Sequence, residues 1–449
     1  MSGGFGWAAV ARLGLVQACL GAIVVMTTST LNRVMVVELA LPALLPGLLV
    51  AMHYLVQVLR PRMGYGSDMG QRRTPWIVGG MAVLAVGGAL AAVATAWMGS
   101  DLIAGITLAV LAFALIGIGV SASGTSLLVL LASRVDAPRR AGAATLVWLM
   151  MIMGFAVTAG VAGKLLDPYS PLRLVAVTAA VSVVAMLITL LATWRLEGTA
   201  APERAPAPAL LPAPETKPSF RDALAQVWAE PVARRFTIFV FISMLAYSAQ
   251  DLILEPFAGS VFGFTPGEST SLSGVQHGGV LLGMLAAALA GRGRRFGSLR
   301  AWQIGGCLMS ALMLMGLVAA AFVGPAWPFK ATVFALGAAN GAFSIAAIAS
   351  MMRLAREGRH AREGVRMGLW GAAQAVAFGM GGLVGTGASD LARWLIGTPS
   401  TAYAAVFALE ATLFVMAAVL AARLNGGRSA TARTETRTEA RPPTHGVTA

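Results

Sequence analysis

Twelve separate stretches of this chain are apolar for long enough to cross a lipid bilayer, and this fixes its class before any single residue is considered. A helix rises about 1.5 Å per residue, so about 20 apolar residues cross a hydrocarbon core of about 30 Å. The runs lie at roughly 12–32, 42–60, 75–98, 102–133, 141–164, 172–194, 235–258, 270–290, 300–323, 329–352, 366–389 and 402–422. Hydrophobic residues make up 57% of the 449 and charged ones only 12%, with a mean hydropathy of +0.76, far outside the range of water-soluble chains. The expectation is an all-α polytopic membrane protein with twelve transmembrane helices. The run after Arg12 is of spanning length, and Thr27-Thr28-Ser29-Thr30 leads into Asn-Arg instead of an Ala-x-Ala site, so it reads as the first span and not as a cleaved signal.

The formal charge of +14 invites a nucleic-acid reading that its placement rejects. Alternate loops collect the cations: Arg33, Lys164, Arg173, Lys330 and Arg393 lie on one side, and the other 28 of 33 Lys and Arg on the other. That asymmetry places both termini in the cytoplasm and offers contacts to anionic lipid. Cys19 and Cys307 sit inside apolar runs without metal-ligand spacing and read as small packing residues.

The sixth run ends near Arg195, and a Pro/Ala-rich stretch follows that cannot bury a core. The expected organisation is a six-helix bundle at 1–195, a cytoplasmic linker at 196–233 holding a short amphipathic helix over 221–230, a second six-helix bundle at 234–423 and a disordered cytoplasmic tail at 424–449. Two parallel six-helix repeats resemble the layout of the major facilitator superfamily. After the second run, Gly64, Asp68, Arg72 and Arg73 are similar to that superfamily's loop pattern, with Met69 and Gln71 as departures, and Gly291 to Arg295 echo it after the eighth. The loop reads either as a latch between the halves or as an ordinary positive-inside loop. Gly371, Gly379, Gly382 and Gly385 in the eleventh run read as close-packing positions.

Ionisable groups inside apolar runs cost about 2.5–3.5 kcal/mol each at a span centre, so they persist where they pair or bind. Asn32, Arg33 and Glu38 end the first run; Gln250, Asp251 and Glu255 end the seventh, its counterpart in the second half. Asp251 and Glu255 are four apart and share a helix face. The expectation is an ion pair from Arg33 to Asp251 or Glu255 that closes the outer side, against independent snorkelling to headgroups. His53 and His277 occupy the equivalent second and eighth runs; a neutral imidazole is a common metal ligand, but on the residues alone the hydrogen-bonded packing histidine is the favoured reading. Gln17, Gln57, Asn340 and Gln374 read as helix-to-helix hydrogen bonds. Glu410, a carboxyl in the twelfth run, must be protonated or paired there and reads as a proton relay or a neutral donor. Asp-rich magnesium-diphosphate motifs, Gly-rich phosphate loops and dinucleotide fingerprints are missing from the sequence.

STLNRVMVVELALPA from Ser29, QDLILEP from Gln250 with the following FAGSVFGFTPGEST, GLWGAAQA from Gly368 and YAAVFALEATLF from Tyr403 together resemble the PucC/LhaA family of phototrophic bacteria. This is a branch of the major facilitator superfamily implicated in light-harvesting complex assembly and bacteriochlorophyll delivery. The likeness runs from the first span to the twelfth and skips the linker and tail. It implies a non-enzymatic factor of the bacterial inner (intracytoplasmic) membrane that needs no cofactor and binds bacteriochlorophyll or a precursor in a lipid-open groove. His53, with His277 second, would supply the axial nitrogen to the pigment's magnesium. Asn32, Arg33, Gln250, Asp251 and Glu255 would hold polar ring substituents or lock the bundle. Implied partners are light-harvesting or reaction-centre subunits and pigment-synthesis enzymes. Two rivals are a secondary transporter of a small amphiphile, proton-coupled through Glu410 or the Asp251/Glu255 pair, and an enzyme of bacteriochlorophyll side-chain chemistry.

Overall fold

The computed structural model describes residues 5–57, 72–136, 139–197, 225, 228–290, 298–357 and 363–423. They form twelve long helices in chain order: α1 Trp7–Glu38, α2 Leu44–Val56, α3 Thr74–Met98, α4 Leu102–Arg134, α5 Arg140–Leu165, α6 Pro171–Thr193, α7 Pro231–Phe262, α8 Pro266–Ala290, α9 Leu299–Val323, α10 Phe329–Glu357, α11 Glu363–Ile396 and α12 Pro399–Arg423. No strand occurs among the described residues. Ten of the helices are long and apolar enough to cross a membrane on their own. α2, with 13 residues, is the shorter apolar helix, and the glycine-rich α11 is long, with 34 residues, but not among the ten. The chain is a multi-pass membrane protein.

The ends of the helices follow local chemistry. Asp101, Ser170 and Ser298 cap α4, α6 and α9 by accepting from the amides of Ala104, Arg173 and Ala301. Proline opens α3, α6 and α7, where its missing N–H costs no bond. Successive helices reverse direction, so the start of α1, the end of α6, the start of α7 and the end of α12 share one face, here the linker face. The α1–α2 and α7–α8 turns lie on the opposite, far face.

Apolar packing gathers into two cores. One runs from Val10 to Leu196, the other from Phe236 to Ala421. Leu252 of α7 is the exception, packed in the first core. The halves meet along two seams. In one, α5 lies against α8 so closely that a Cβ on Gly163 would stand 2.6 Å from the Gly267 carbonyl oxygen, and Ile152 joins Val280 and Met284 in a small bridging core. In the other, α2 meets α11, with Gly47 against Thr386. Outward-facing apolar side chains such as Val157, Leu191, Leu312 and Val415 are exposed, as lipid-facing positions are. The linker residues 198–224, the tail 424–449, and Gly64 and Asp68 of the expected latch lie outside the described residues.

Candidate functional site

The polar end of α1 does not follow a regular α-helical path. Two π-turns, Met26–Thr30 and Val34–Glu38, bracket Leu31–Arg33. A π-turn closes its hydrogen bond at the fifth residue and so brings side chains five apart onto one face. Arg33 and Glu38 are five apart, and they form an ion pair with Arg33 2% exposed and Glu38 33% exposed.

From this stretch a row of hydrogen bonds crosses to the other half. Ser29 meets Ser273 at 3.4 Å and Thr30 meets Thr270 at 3.0 Å, hydroxyl to hydroxyl. Arg33 donates from Nε to Ser269 Oγ at 3.1 Å and from Nη2 to the Phe264 carbonyl at 2.6 Å. Gly259 makes room for the guanidinium, since a Cβ there would stand 2.8 Å from Nη2. Asn32 Nδ2 donates to the Leu252 carbonyl at 2.6 Å. That carbonyl is available because Pro256, four residues on inside α7, has no N–H to give it.

Two further ties flank this row on the far face. The Asp390 carboxylate of α11 accepts from the amides of Ala43 and Leu44 at 3.0 and 2.7 Å, and Thr265 donates to Asp167 at 2.8 Å. The far face is therefore clasped shut at its centre and on both sides. The expected ion pair from Arg33 to Asp251 or Glu255 does not form. The π-turn delivers Glu38 to the guanidinium first, and the remaining donors go to a hydroxyl and a carbonyl. The expectation that Arg33 joins the two halves stands on those neutral partners instead, and Arg33 is buried and not snorkelling.

Below the clasp, half-buried Asp251 accepts from Gln276 at 3.4 Å. Glu255, 2% exposed, lies beside the Ser29 and Ser273 hydroxyls and the Arg33 guanidinium. Gln250 and Glu410 are equally buried, and their side-chain polar atoms make no hydrogen bond among the described residues. Asn340 accepts from Ser310 at 2.7 Å within the second half, and Gln374 is half-buried on α11.

The two histidines differ. The Nε2 of His53 lies 2.9 Å from the side-chain amide of Gln57, with the ring edge-on to Tyr54. The Nδ1 of His277 lies 2.8 Å from the Ser273 carbonyl, which can only accept, so Nδ1 carries the proton and Nε2 the lone pair. His277 sits on the α5–α8 seam, its ring edge-on to Phe155 of the other half at 5.0 Å, and Nε2 makes no hydrogen bond among the described residues.

On the linker face, Arg72 is exposed, and Arg73 donates to Ser133 at 2.8 Å. The amides of Arg73 and Thr74 donate to the Glu197 carboxylate at 2.8–3.1 Å. Burial alone would raise the Glu197 pKa, but these amide donors outweigh it and hold it below the ordinary value. The described contacts of Arg73 thus staple α3, α4 and the end of α6 within the first half, not one half to the other. Sequence reasoning missed Asp390, the Thr265–Asp167 tie and the hydroxyl stripe Ser269, Thr270, Ser273; the only hint was a run of hydroxyls opening an otherwise apolar helix.

A family described as PUCC protein matches residues 30–429. The chain belongs to the PucC family. It is 53% identical over 426 residues to the "bacteriochlorophyll synthase 44.5 kDa chain" of Rhodobacter capsulatus, covering 95% of this chain and 97% of that one. It is 32% identical over 426 residues to "Protein PucC" of Cereibacter sphaeroides, covering 89% and 88%. Among solved structures, a mutant of the nucleoside transporter NupG superposes with a TM-score of 0.66 at 16% identity, covering 93% of this chain and 99% of that one. This PucC-family protein thus has the major facilitator fold, and at that identity the likeness speaks of fold alone.

Proposed function

We propose that the protein binds bacteriochlorophyll or a precursor between its two halves and hands it over during assembly of light-harvesting or reaction-centre complexes. The relatives' names supply the pigment context. The observation that carries the reading to particular atoms is His277. A ring whose Nδ1–H is fixed by a backbone carbonyl presents its Nε2 lone pair outward, which is how metal-ligating histidines are held. Magnesium in a pigment ring needs one such axial donor, and Phe155, Ile152, Val280 and Met284 make the surroundings of His277 apolar. His53, with Nε2 already engaged by Gln57, ranks second.

The protein acts as a carrier and not as an enzyme in this reading: the sequence lacks the paired aspartates that prenyl transfer to a pigment requires. The excess of basic residues supports a cytoplasmic linker face in a phototroph's inner membrane, where anionic lipid and pigment-synthesis enzymes are within reach. The rival, proton-coupled transport of a small amphiphile, draws on the buried acids Glu255 and Glu410.

Purification in mild detergent from phototrophically grown cells tests the reading. The wild-type chain and His53→Ala retain pigment at the same molar ratio, whereas His277→Ala loses it or shifts its absorption maximum. Unchanged ratio and spectrum in His277→Ala removes the histidine from the role, and wild-type protein free of pigment removes the reading altogether.

A further inference from the structure

A shallow cleft of about 330 Å³ opens on the far face between the end of α7 and the α9–α10 connection, walled by Phe262, Phe264, Trp327 and Phe329, with exposed Lys330 among its lining residues. Its walls are held firmly. Phe262 and Phe329 stack with their centroids 4.3 Å apart, Phe264 stands edge-on to both, and the Trp327 indole N–H donates to Thr332 at 2.9 Å. Gly263, at φ +71°, ends α7 in the left-handed region and turns the chain so that the Phe264 amide donates to the Ala258 carbonyl. The Phe264 carbonyl in turn accepts from Arg33. One residue therefore belongs to the cleft by its ring and to the clasp between the halves by its backbone.

Cations are scarce on the far face, and two of them are engaged within the protein: Arg33 pairs with Glu38, and Arg393 donates to Ser260 and Tyr403. Lys330 forms no ion pair among the described residues. Glu268, the acid closest in sequence to Phe264, accepts from the Thr265 amide instead, and the Lys330 ammonium lies over the Phe264 ring, 5.7 Å from its centroid. A ring face attracts an ammonium but does not saturate its three N–H donors, so an oxyanion is the natural complement. Just before the cleft, Phe322 and Val323 of α9 are 64% and 52% exposed, an apolar strip of the kind that faces acyl chains. Aromatic side chains also settle where headgroups meet hydrocarbon, which is the depth of these helix ends. A cation, an aromatic wall and a lipid-facing strip side by side match a molecule with a charged head and apolar tails; a soluble anion or an acidic peptide would leave the strip uncovered.

We propose that the cleft binds one anionic phospholipid of the far leaflet, its phosphate on Lys330, its glycerol region against Phe264 and Trp327, and its acyl chains along Phe322 and Val323. Occupancy steadies the α7–α8 turn, and with it the Phe264 carbonyl that receives Arg33. The site lies on the face opposite the basic loops and does not depend on pigment binding.

A fluorescent label beside the cleft tests this. Ala326→Cys, an exposed position in the α9–α10 connection, carries bimane in a Cys19→Ala, Cys307→Ala background of the full chain in maltoside micelles. Phosphatidylglycerol shifts the emission saturably, and phosphatidylcholine, whose own ammonium competes with Lys330, needs about tenfold more for the same change. Lys330→Gln raises the half-saturation for phosphatidylglycerol by about tenfold, Lys330→Arg keeps it, and Lys164→Gln, which removes a far-face cation outside the cleft, leaves it unchanged. Amide exchange over residues 263–270 slows with phosphatidylglycerol in the parent and not in Lys330→Gln. An equal response to both lipids, or a monodisperse Lys330→Gln protein with the parent's half-saturation, overturns the site. Saturation by glycerol phosphate or by an acidic peptide alone overturns the lipid as its occupant, and binding that leaves exchange unchanged overturns the link to the turn.

Discussion

The partnership of Asn32 and Leu252 is set by a proline four residues further along α7. Pro256 strips the Leu252 carbonyl of its helical donor, and Asn32 replaces that donor from the other half at 2.6 Å. Asn32→Ala leaves a buried carbonyl unsatisfied and costs about 1–3 kcal/mol. In a Pro256→Ala background the restored N–H takes the carbonyl back, so the same Asn32 substitution becomes much milder, with a coupling of about 1 kcal/mol between the two sites. Apparent unfolding midpoints of the two single variants and the double one, in one detergent, give the answer; strictly additive shifts refute the mechanism. This residue-scale set was half legible in the sequence. Asn32, Arg33, Gln250, Asp251 and Glu255 stood out because polar groups in apolar runs must find partners. Their partners were not legible, because most are hydroxyls and backbone carbonyls that carry no charge signal. Arg33–Glu38 escaped because a regular helix pairs residues three or four apart, and only the π-turn over Val34–Glu38 brings the fifth into line.

Elements are held by close approach and by caps, and each gives an outcome that can be measured. Along α5 and α8, alanine at Gly163 would drive its Cβ to 2.6 Å from both the Gly267 carbonyl oxygen and the Ser271 amide nitrogen, which are backbone atoms that cannot swing away. Gly163→Ala should cost about 1–3 kcal/mol of overpacking. Gly278, on the same α8, has open space where its Cβ would go, so Gly278→Ala should be neutral or stabilise by up to about 1 kcal/mol through helix propensity. Thermal scans showing equal losses for the two would refute the close-approach account. At the linker face, Glu197 caps the start of α3 from the end of α6. Its pKa in the folded protein lies below the unfolded value of about 4.5, so its contribution is present above that pH and disappears as pH falls through the depressed value. Glu197→Ala should therefore cost about 1 kcal/mol at neutral pH and nothing in strong acid. A penalty independent of pH would mean that packing, not the carboxylate, is responsible. The cap joins residues 124 positions apart by way of backbone amides, and no spacing rule in the sequence announces it.

At the scale of the molecule, the succession of apolar runs already contained the membrane class and the six-plus-six order, because hydrocarbon thickness dictates run length. How the halves close on each other depends on phase and depth, which run length does not encode. The far-face ties make a sharp demand on any account of handover. If cargo held between two rigid bundles leaves when the bundles rock, then fixing the clasp must separate holding from release. Thr30 and Thr270 face each other across the halves with their hydroxyl oxygens 3.0 Å apart, close enough for a pair of cysteines to meet disulfide geometry. Thr30→Cys with Thr270→Cys, oxidised in the membrane, should keep the halves together on a denaturing gel after a protease cut engineered into the linker. The oxidised protein should carry pigment at the wild-type ratio, since the His277 seam lies deeper and is already formed with the clasp closed. It should fail to support assembly of light-harvesting complexes until the bond is reduced. Normal assembly in the oxidised state would place release on a route that needs no separation at the far face, and would leave the clasp as a purely structural tie.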